Sequence, residues 1–284
     1  MTRPARLWAF ALFALCVVLG GWHWRTVHAP RVDGALIAGG DGGGLPRAAP
    51  ELEGFDPAAL QESVSRAVAQ GADALLILRH GHLVVEQYGT GANVDTRVAG
   101  GALANGLLIM AAGIAVAQHG MIMPAPPIEE GRLSAAIAAA SGRSYPSFLS
   151  RHVWQPLHAG PAYWSSSGVS ARCVDWLRVA ELLLHDGRFE GTQIVQAGWI
   201  ARHSSELFGP GVDSPVAPDL RMLNGPGSTR LWVAPRLDVA ILRVAGPPPP
   251  GAAVDEALAR TIINTLRDRP ATGGNTLNDL VPGH

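Results

Sequence analysis

The stretch that decides the fold is RVAGGALANGLLIMAAGIAVAQHGM, residues 97–121. Nearly every residue from Ala102 to Gln118 is apolar and none is proline, which predicts a helix that is buried on all sides. Gly120 follows it in the position where a helix commonly ends. A run of this length that contains two glycines is short for a membrane span. The sequence therefore predicts the central helix of a globular domain.

A slightly longer stretch, DTRVAGGALANGLLIMAAGIAVAQHGMI, resembles a segment of the serine β-lactamase-like hydrolases. This superfamily includes class C β-lactamases, penicillin-binding proteins and related esterases. In these proteins the segment carries a Ser-x-x-Lys motif at the start of a buried helix. The resemblance implies that the nucleophile position is Ala102 and the base position is Asn105.

Neither residue suits the chemistry of those positions. Ala102 has no nucleophilic atom, and the neutral amide of Asn105 does not accept a proton from a hydroxyl near neutral pH. All 22 residues counted as Lys+Arg are arginine, so lysine-based acylation and Schiff-base chemistry are excluded. The motif predicts the fold of the superfamily without its usual reaction. We expect Asn105 to be buried, and to bond a partner or face a pocket.

The other two catalytic motifs of the superfamily are also replaced. A catalytic Tyr is implied near Ala125 or Pro126, after a helical insertion that is cut short here. Tyr145, in GRSYPSFL, matches a structural aromatic position instead. The strand that usually carries Lys-Thr-Gly or His-x-Gly corresponds to NGPGS, residues 224–228, where the basic residue falls on or near Pro226. The residues that we expect to line a pocket are Gly101, Ala102, Asn105, Asn224, Gly225, Gly227 and Ser228.

An alternative is an active serine hydrolase that uses other residues. Ser165, Ser166 and Ser167 lie in YWSSSG, and His152 or His158 could serve as the base. The chain has no Gly-x-Ser-x-Gly elbow, and a serine-rich segment of this kind is typical of a loop.

The amino terminus carries an apolar run, residues 7–22, preceded by Arg3 and Arg6. This pattern predicts a signal-anchor over residues 1–29 with the domain exported. The best cleavage site ends at Ala29 and is followed by proline, which favours a retained anchor over a cleaved signal peptide. The expected location is the inner membrane, with a single span and the domain in the periplasm or outside the cell.

Composition and hairpin patterns predict the remaining organisation. Residues 30–51 are rich in Gly and Pro, which predicts a flexible linker. The domain is expected over residues 52–269. A disordered tail is expected over residues 270–284. Two hairpins, around His80-Gly81 and around residues 235–238, predict an antiparallel sheet flanked by helices. This α/β sandwich agrees with the resemblance, which covers roughly residues 52–268.

The remaining residue types exclude several functions. The net charge of −1 gives no electrostatic basis for binding nucleic acid. His80 and His82 lack a third ligand nearby in sequence, so a polar turn is favoured over a metal site. Cys173, in a helical pattern, is expected to be a buried apolar residue. No cofactor is predicted.

Three functional hypotheses follow from these patterns. The favoured one is a membrane-anchored, catalytically inactive relative that binds a cell-envelope ligand or a protein partner. The second is the alternative serine hydrolase. The third is a structural component of an envelope complex, which differs from the first only in having no ligand in its pocket.

Overall fold

A computed structural model of the protein describes residues 34–125, 128–209, 212, 214–246 and 257–267. The predicted anchor, residues 1–29, and the predicted tail, residues 270–284, lie outside the described residues. Within the described part of the chain, no helix is both long enough and apolar enough to cross a membrane.

A five-stranded antiparallel sheet forms the centre of the folded unit, in the order β3-β2-β11-β10-β9. Its strands are β2 (Ala74–Arg79), β3 (His82–Tyr88), β9 (Arg221–Asn224), β10 (Arg230–Ala234) and β11 (Val239–Val244). The two predicted hairpins are β2–β3 and β10–β11, and β2 pairs with β11 to join them. The expectation of an antiparallel sheet is confirmed.

The inner strand β2 is buried on both faces, which explains its nearly continuous apolar sequence ALLILR. Side chains alternate between the faces of a strand. Leu75 and Ile77 accordingly join one hydrophobic cluster, while Leu76 and Leu78 join another on the opposite face. The sheet is therefore the middle layer of a three-layer sandwich.

Helices cover both faces of this sheet. On one face lie α1 (Pro57–Ala69) and the carboxy-terminal α8 (Leu258–Ile263). On the other lie α2 (Ala102–His119) and α5 (Cys173–Leu184). Shorter helices complete this second layer: α3 (Glu130–Ser141), α4 (Tyr145–Leu149), a π-helical turn (Ser150–Trp154), α6 (Trp199–Arg202) and α7 (Ser204–Leu207).

Helix α2 agrees with the prediction within one residue. Gly120 ends it in the left-handed conformation, with φ of 63°. The two glycines inside it have a packing reason: a Cβ atom on Gly106 would lie 2.7 Å from Leu223, and one on Gly113 would lie 2.8 Å from the Trp199 ring. Only glycine lets neighbouring elements approach this closely.

A second, four-stranded sheet was not predicted. It has the order β1-β5-β6-β4 and consists of β1 (Ala35–Ile37), β4 (Arg97–Ala99), β5 (Ala162–Ser165) and β6 (Gly168–Arg172). A separate two-stranded ribbon pairs β7 (Arg188–Phe189) with β8 (Thr192–Gln193).

The folded unit begins at Ala35, inside the segment predicted to be a linker. Strand β1 pairs with β5, Ile37 is fully buried, and Leu45 belongs to the core. The Ser150 hydroxyl also donates a hydrogen bond of 2.7 Å to the carbonyl of Ala38. Residues 35–48 are thus part of the domain, because their apolar side chains and backbone groups find partners in it that composition alone does not reveal.

Candidate functional site

The residue to which the resemblance assigns the nucleophile position, Ala102, is the first residue of α2. Ala102 begins the helix and Asn105 lies one turn along, as the resemblance implies. Gly101 precedes them with φ of 51°, and the amide of Gly100 donates a 2.7 Å hydrogen bond to the carbonyl of Val169 in β6. The start of α2 is therefore held against the smaller sheet.

The loop after β9 packs on this helix start. A Cβ atom on Gly101 would lie 2.9 Å from Cδ of Pro226, and one on Gly225 would lie 3.6 Å from Leu103. Pro226, to which the resemblance assigns the basic position, thus lies against the start of α2. A proline side chain at this point supplies neither a charge nor a hydrogen-bond donor.

The predicted pocket-lining residues do not all face one cavity. Asn105 lines a cavity on one side of the helix start, whereas Gly227 lines a different one of about 460 Å³. Ser228 is 2% exposed, and its amide bonds to the carbonyls of Ala245 and Gly246. Its hydroxyl has no partner among the described residues.

We call the cavity at Asn105 the α2 cleft, and its volume is about 420 Å³. It lies between α2, the segment that leads into α3, and α7. Its lining comprises Asn105, Leu108, Ile109, Ile128, Glu130, Ser205 and Glu206. Asn105 is exposed at this cleft, so the expectation that it would be buried is wrong. Asn105 lies on a stretch of α2 that packs through Leu103, Leu107 and Leu108, and its own side chain points away from that core.

Of the seven lining residues that the structure describes, the sequence predicted only Asn105. Ile128 and Glu130 follow the proline-rich segment, while Ser205 and Glu206 lie about a hundred residues beyond Asn105. No local pattern links positions so far apart. The only signal was the pair of acidic residues, 129 and 130, at the start of a helical pattern.

The two carboxylates of the α2 cleft form no ion pair within the described chain. Glu206 accepts a 2.7 Å hydrogen bond from the Ser205 hydroxyl, and this bond is the largest cause that lowers the pKa of Glu206. Glu130 lies beside Gly168: a Cβ atom on that glycine would be 3.9 Å from its Oε1. The cleft therefore has an acidic rim above an apolar floor.

Tyr145 is structural, as the sequence predicts. It is 4% exposed and meets Trp164 edge to face, with the ring centroids 5.8 Å apart. Burial, and secondarily the charge of Glu130, raises the pKa of its hydroxyl. A phenol in this state is poorly suited to shuttling protons. Of the two positions implied for the catalytic Tyr, Ala125 is exposed and Pro126 lies outside the described residues.

The alternative serines lie at the tip of the β5–β6 hairpin. The hydroxyls of Ser165 and Ser167 are 2.8 Å apart and bond to each other. His152 instead stacks on Phe148, with centroids 4.5 Å apart. His158 lies nearest to acidic side chains, 3.9 Å from Glu190. Among the described residues, no histidine bonds to these serines, so the structure does not assemble the nucleophile and base of the alternative hypothesis.

The structure also places the remaining candidates. His80 and His82 lie at the turn between β2 and β3, where both rings contact the buried carboxylate of Glu53 at 2.8 and 2.9 Å. No cluster of three or more His, Cys, Asp or Glu side chains suited to a metal occurs in the described ranges. Cys173 is buried as expected, and burial raises the pKa of its thiol to about 12.

Comparison with known proteins supports the fold and leaves the activity open. No protein-family profile matches the sequence, and no curated protein matches it. Solved structures do match.

One similar structure is a protein from Bacillus anthracis assigned provisionally as a 6-aminohexanoate-dimer hydrolase. It is 14% identical with a TM-score of 0.56, and the match covers 85% of this chain and 92% of that one. A β-lactamase from Mycobacterium bovis is 14% identical with a TM-score of 0.52, covering 70% of this chain and 99% of that one. EstCE1, a hydrolase with promiscuous acyltransferase activity, is 12% identical with a TM-score of 0.54, covering 74% and 97%. The chain has the fold of the serine β-lactamase-like hydrolases.

Proposed function

We propose that the protein is a catalytically inactive β-lactamase-fold domain whose α2 cleft binds a cell-envelope ligand or a protein partner. The observation that carries the proposal is the start of α2, which begins at Ala102 and has Asn105 one turn along. The resemblance assigns the nucleophile and base positions to these two residues. Acyl transfer in this fold needs a nucleophilic side chain with a base within hydrogen-bond reach.

The surroundings of this helix start support the same conclusion. Pro226 packs on Gly101 where a basic side chain would help to stabilise the transition state. Tyr145 is sealed in the core, and the chain contains no lysine to replace the missing base. The replacement of every catalytic group argues for a scaffold used for binding.

Labelling with active-site probes tests this proposal. A labelled penicillin and a serine-directed fluorophosphonate are incubated with the full-length protein, with an active serine β-lactamase as the positive control. We expect no stoichiometric covalent label on the protein. Labelling of Ser165, Ser166 or Ser167, detected by peptide mass spectrometry, would instead support the active-hydrolase hypothesis.

Anchoring and export form the second half of the proposal. The apolar run at residues 7–22, with Arg3 and Arg6 before it, supports a retained span with the domain outside the cytoplasm. We expect the intact amino terminus in the membrane fraction, and digestion of the domain by protease added to the periplasmic side. Mature protein that begins near Pro30 would rule out the anchor while leaving export in place.

A purely structural role in an envelope complex remains the competing interpretation. It predicts that the α2 cleft stays empty in the working protein, whereas the binding proposal predicts that mutation of its lining affects function. Binding of a specific class of ligand in the cleft would distinguish the binding role from the structural role.

A further inference from the structure

The α2 cleft combines an acidic rim with an apolar floor. Glu130 and Glu206 contribute the charge, and none of the described lining residues is basic. Leu108, Ile109 and Ile128 supply the apolar floor. Two carboxylates at one mouth, with no basic residue among the described lining, create a negative potential that attracts a cationic ligand. The charge of His203 is the smallest of the causes that act on the pKa of Glu206.

Hydrogen bonding within the rim leaves this charge in place. The Ser205 hydroxyl bonds to Glu206 and lowers the pKa of its carboxyl, so that this group is ionised at neutral pH. Neither Glu206 nor Glu130 has an arginine or histidine within ion-pair distance in the described chain. Both carboxylates retain oxygen lone pairs that can accept hydrogen bonds from a ligand.

The volume of the cleft and the amide of Asn105 narrow the class of ligand further. A volume of about 420 Å³ falls within the range of about 300–1,000 Å³ that small-molecule sites occupy. The exposed amide of Asn105 offers both a donor and an acceptor beside the apolar floor. A ligand that uses the whole cleft would therefore have a compact apolar body and a cationic end.

We propose that the α2 cleft binds a small organic cation, an amine or guanidinium borne on an apolar body. This inference rests on the binding role proposed above, and names the class of ligand for that site. Anions are poor candidates because the rim is acidic. Metal ions are poor candidates because the floor is apolar. The amide of Asn105 orients the ligand between the charged rim and the floor.

Three probes of nearly the same shape test the charge preference. Cyclohexylmethylamine is a cation at neutral pH, since alkyl ammonium groups titrate near pH of about 10. Cyclohexylmethanol is neutral and cyclohexanecarboxylate is an anion. Calorimetric titration of the full-length protein should give binding of the amine at least about tenfold tighter than of the alcohol, and none of the carboxylate. Added salt should weaken the amine complex selectively.

Paired substitutions assign the binding to the cleft. The double variant Glu130→Gln with Glu206→Gln removes both charges and keeps the shape, and should weaken amine binding about tenfold, because exposed ion pairs contribute modestly. Glu51→Gln, at an exposed glutamate outside the cleft, is the matched control and should bind the amine like the wild type. Ile109→Ala should weaken the amine and the alcohol together.

Each outcome has a defined meaning. Equal binding of the amine and the alcohol, absence of amine binding, or an unchanged affinity in the double variant would overturn the inference. These results are independent of the covalent-probe experiment. A protein that binds the amine and also labels with a fluorophosphonate would keep the cation site and refute the proposed inactivity.

Discussion

At the scale of single residues, Ala102 and Asn105 lack the side chains that acyl transfer needs, while the helix that carries them keeps its packing. The packing of α2 depends on residues such as Leu103, Leu107 and Met110, which are fully or almost fully buried. Asn105 is exposed at the cleft and contributes little to that packing. The side chain at position 105 can therefore be varied without disturbing the core.

Restoring the motif alone should not restore a hydrolase. We expect Ala102→Ser with Asn105→Lys to show no esterase or β-lactamase activity above background. A nucleophile with its base still lacks the Tyr group and a basic group near Pro226, and losing one such electrostatic contact costs about 10²–10³ in rate. Hydrolysis of a chromogenic ester and of a chromogenic cephalosporin measures this, with wild-type protein as the control. Turnover well above wild type would mean that the rest of the site is intact.

Substitution of Asn105 should affect ligands more than stability. Because the side chain is exposed at the cleft, Asn105→Leu should change the free energy of unfolding by less than about 0.5 kcal/mol. Urea denaturation followed by circular dichroism measures this. A buried position is tested in parallel with Leu107→Ala, which should cost about 2–5 kcal/mol. A large loss in the Asn105 variant would mean that its amide has a structural partner.

His152 should make stability depend on pH. Burial is the main cause that lowers the pKa of its imidazole below the usual 6.5, with the charges of His119, Arg151 and Arg143 adding to it. As the pH falls below about 6.5, the unfolded chain therefore takes up a proton before the folded one, and this contribution to stability is lost.

The slope of melting temperature against pH tests this effect. Between about pH 7.5 and pH 5.5, His152→Asn should lose less stability than the wild type does. The control is His158→Asn, at an exposed position whose positive φ of 52° asparagine tolerates. Parallel slopes for wild type and His152→Asn would contradict the prediction.

At the scale of elements, a buried ion cluster fastens the amino-terminal segment to α5. Asp175 is fully buried and accepts hydrogen bonds from Arg172, Arg178 and the amide of Gly160. The same two arginines donate to backbone carbonyls of residues 42 and 43. One carboxylate thus aligns two guanidinium groups that hold an otherwise irregular, glycine-rich stretch.

Removing that carboxylate should be costly. Asp175→Ala leaves two arginines without their shared partner in the interior, and loss of one member of a buried ion cluster costs about 3–5 kcal/mol. The comparison variant is Glu62→Ala, which breaks an exposed pair with Arg66 and should cost less than about 0.5 kcal/mol. Chemical denaturation of both proteins measures the difference. Similar midpoints for the two variants would show that the cluster contributes little.

At the scale of the whole molecule, the two sheets depend on one another through the amino-terminal segment. Strand β1 forms one edge of the smaller sheet, and Arg47 makes a β-bridge to Leu83 in the larger one. Leu45 belongs to the hydrophobic cluster that contains buried residues of both sheets. The domain boundary is consequently set by contacts that are distant in sequence.

Truncation distinguishes the observed boundary from the one that composition suggests. A protein that starts at Ala49 loses Ile37, Leu45 and the β1–β5 pairing. It should be at least about 2 kcal/mol less stable than one that starts at Gly34, since burial of a single aliphatic side chain contributes about 1.5–3 kcal/mol. Urea midpoints measured on both proteins test this. Equal midpoints would indicate that residues 35–48 are a linker that contributes no stability to the domain.

The sequence predicted the elements whose patterns are local. The apolar run of α2, the two hairpins of the main sheet and the burial of Cys173 follow from periodicity, turn residues and composition within short windows. The smaller sheet was missed, because its strands are only three to five residues long and one of them lies in a glycine-rich segment.

By itself, the sequence determined the fold class and the chemical character of the residues at positions 102 and 105. Both depend on the order of side chains along the chain: Ala102 cannot be a nucleophile in any conformation, and a chain without lysine has no lysine base. Only the tertiary structure determined which side chains line the cleft. It placed Glu130 and Glu206 in the same cleft as Asn105, and it stacked His152 on Phe148 instead of bonding it to Ser165. Side chains far apart in sequence meet only when the packing of α2 against its neighbours is complete.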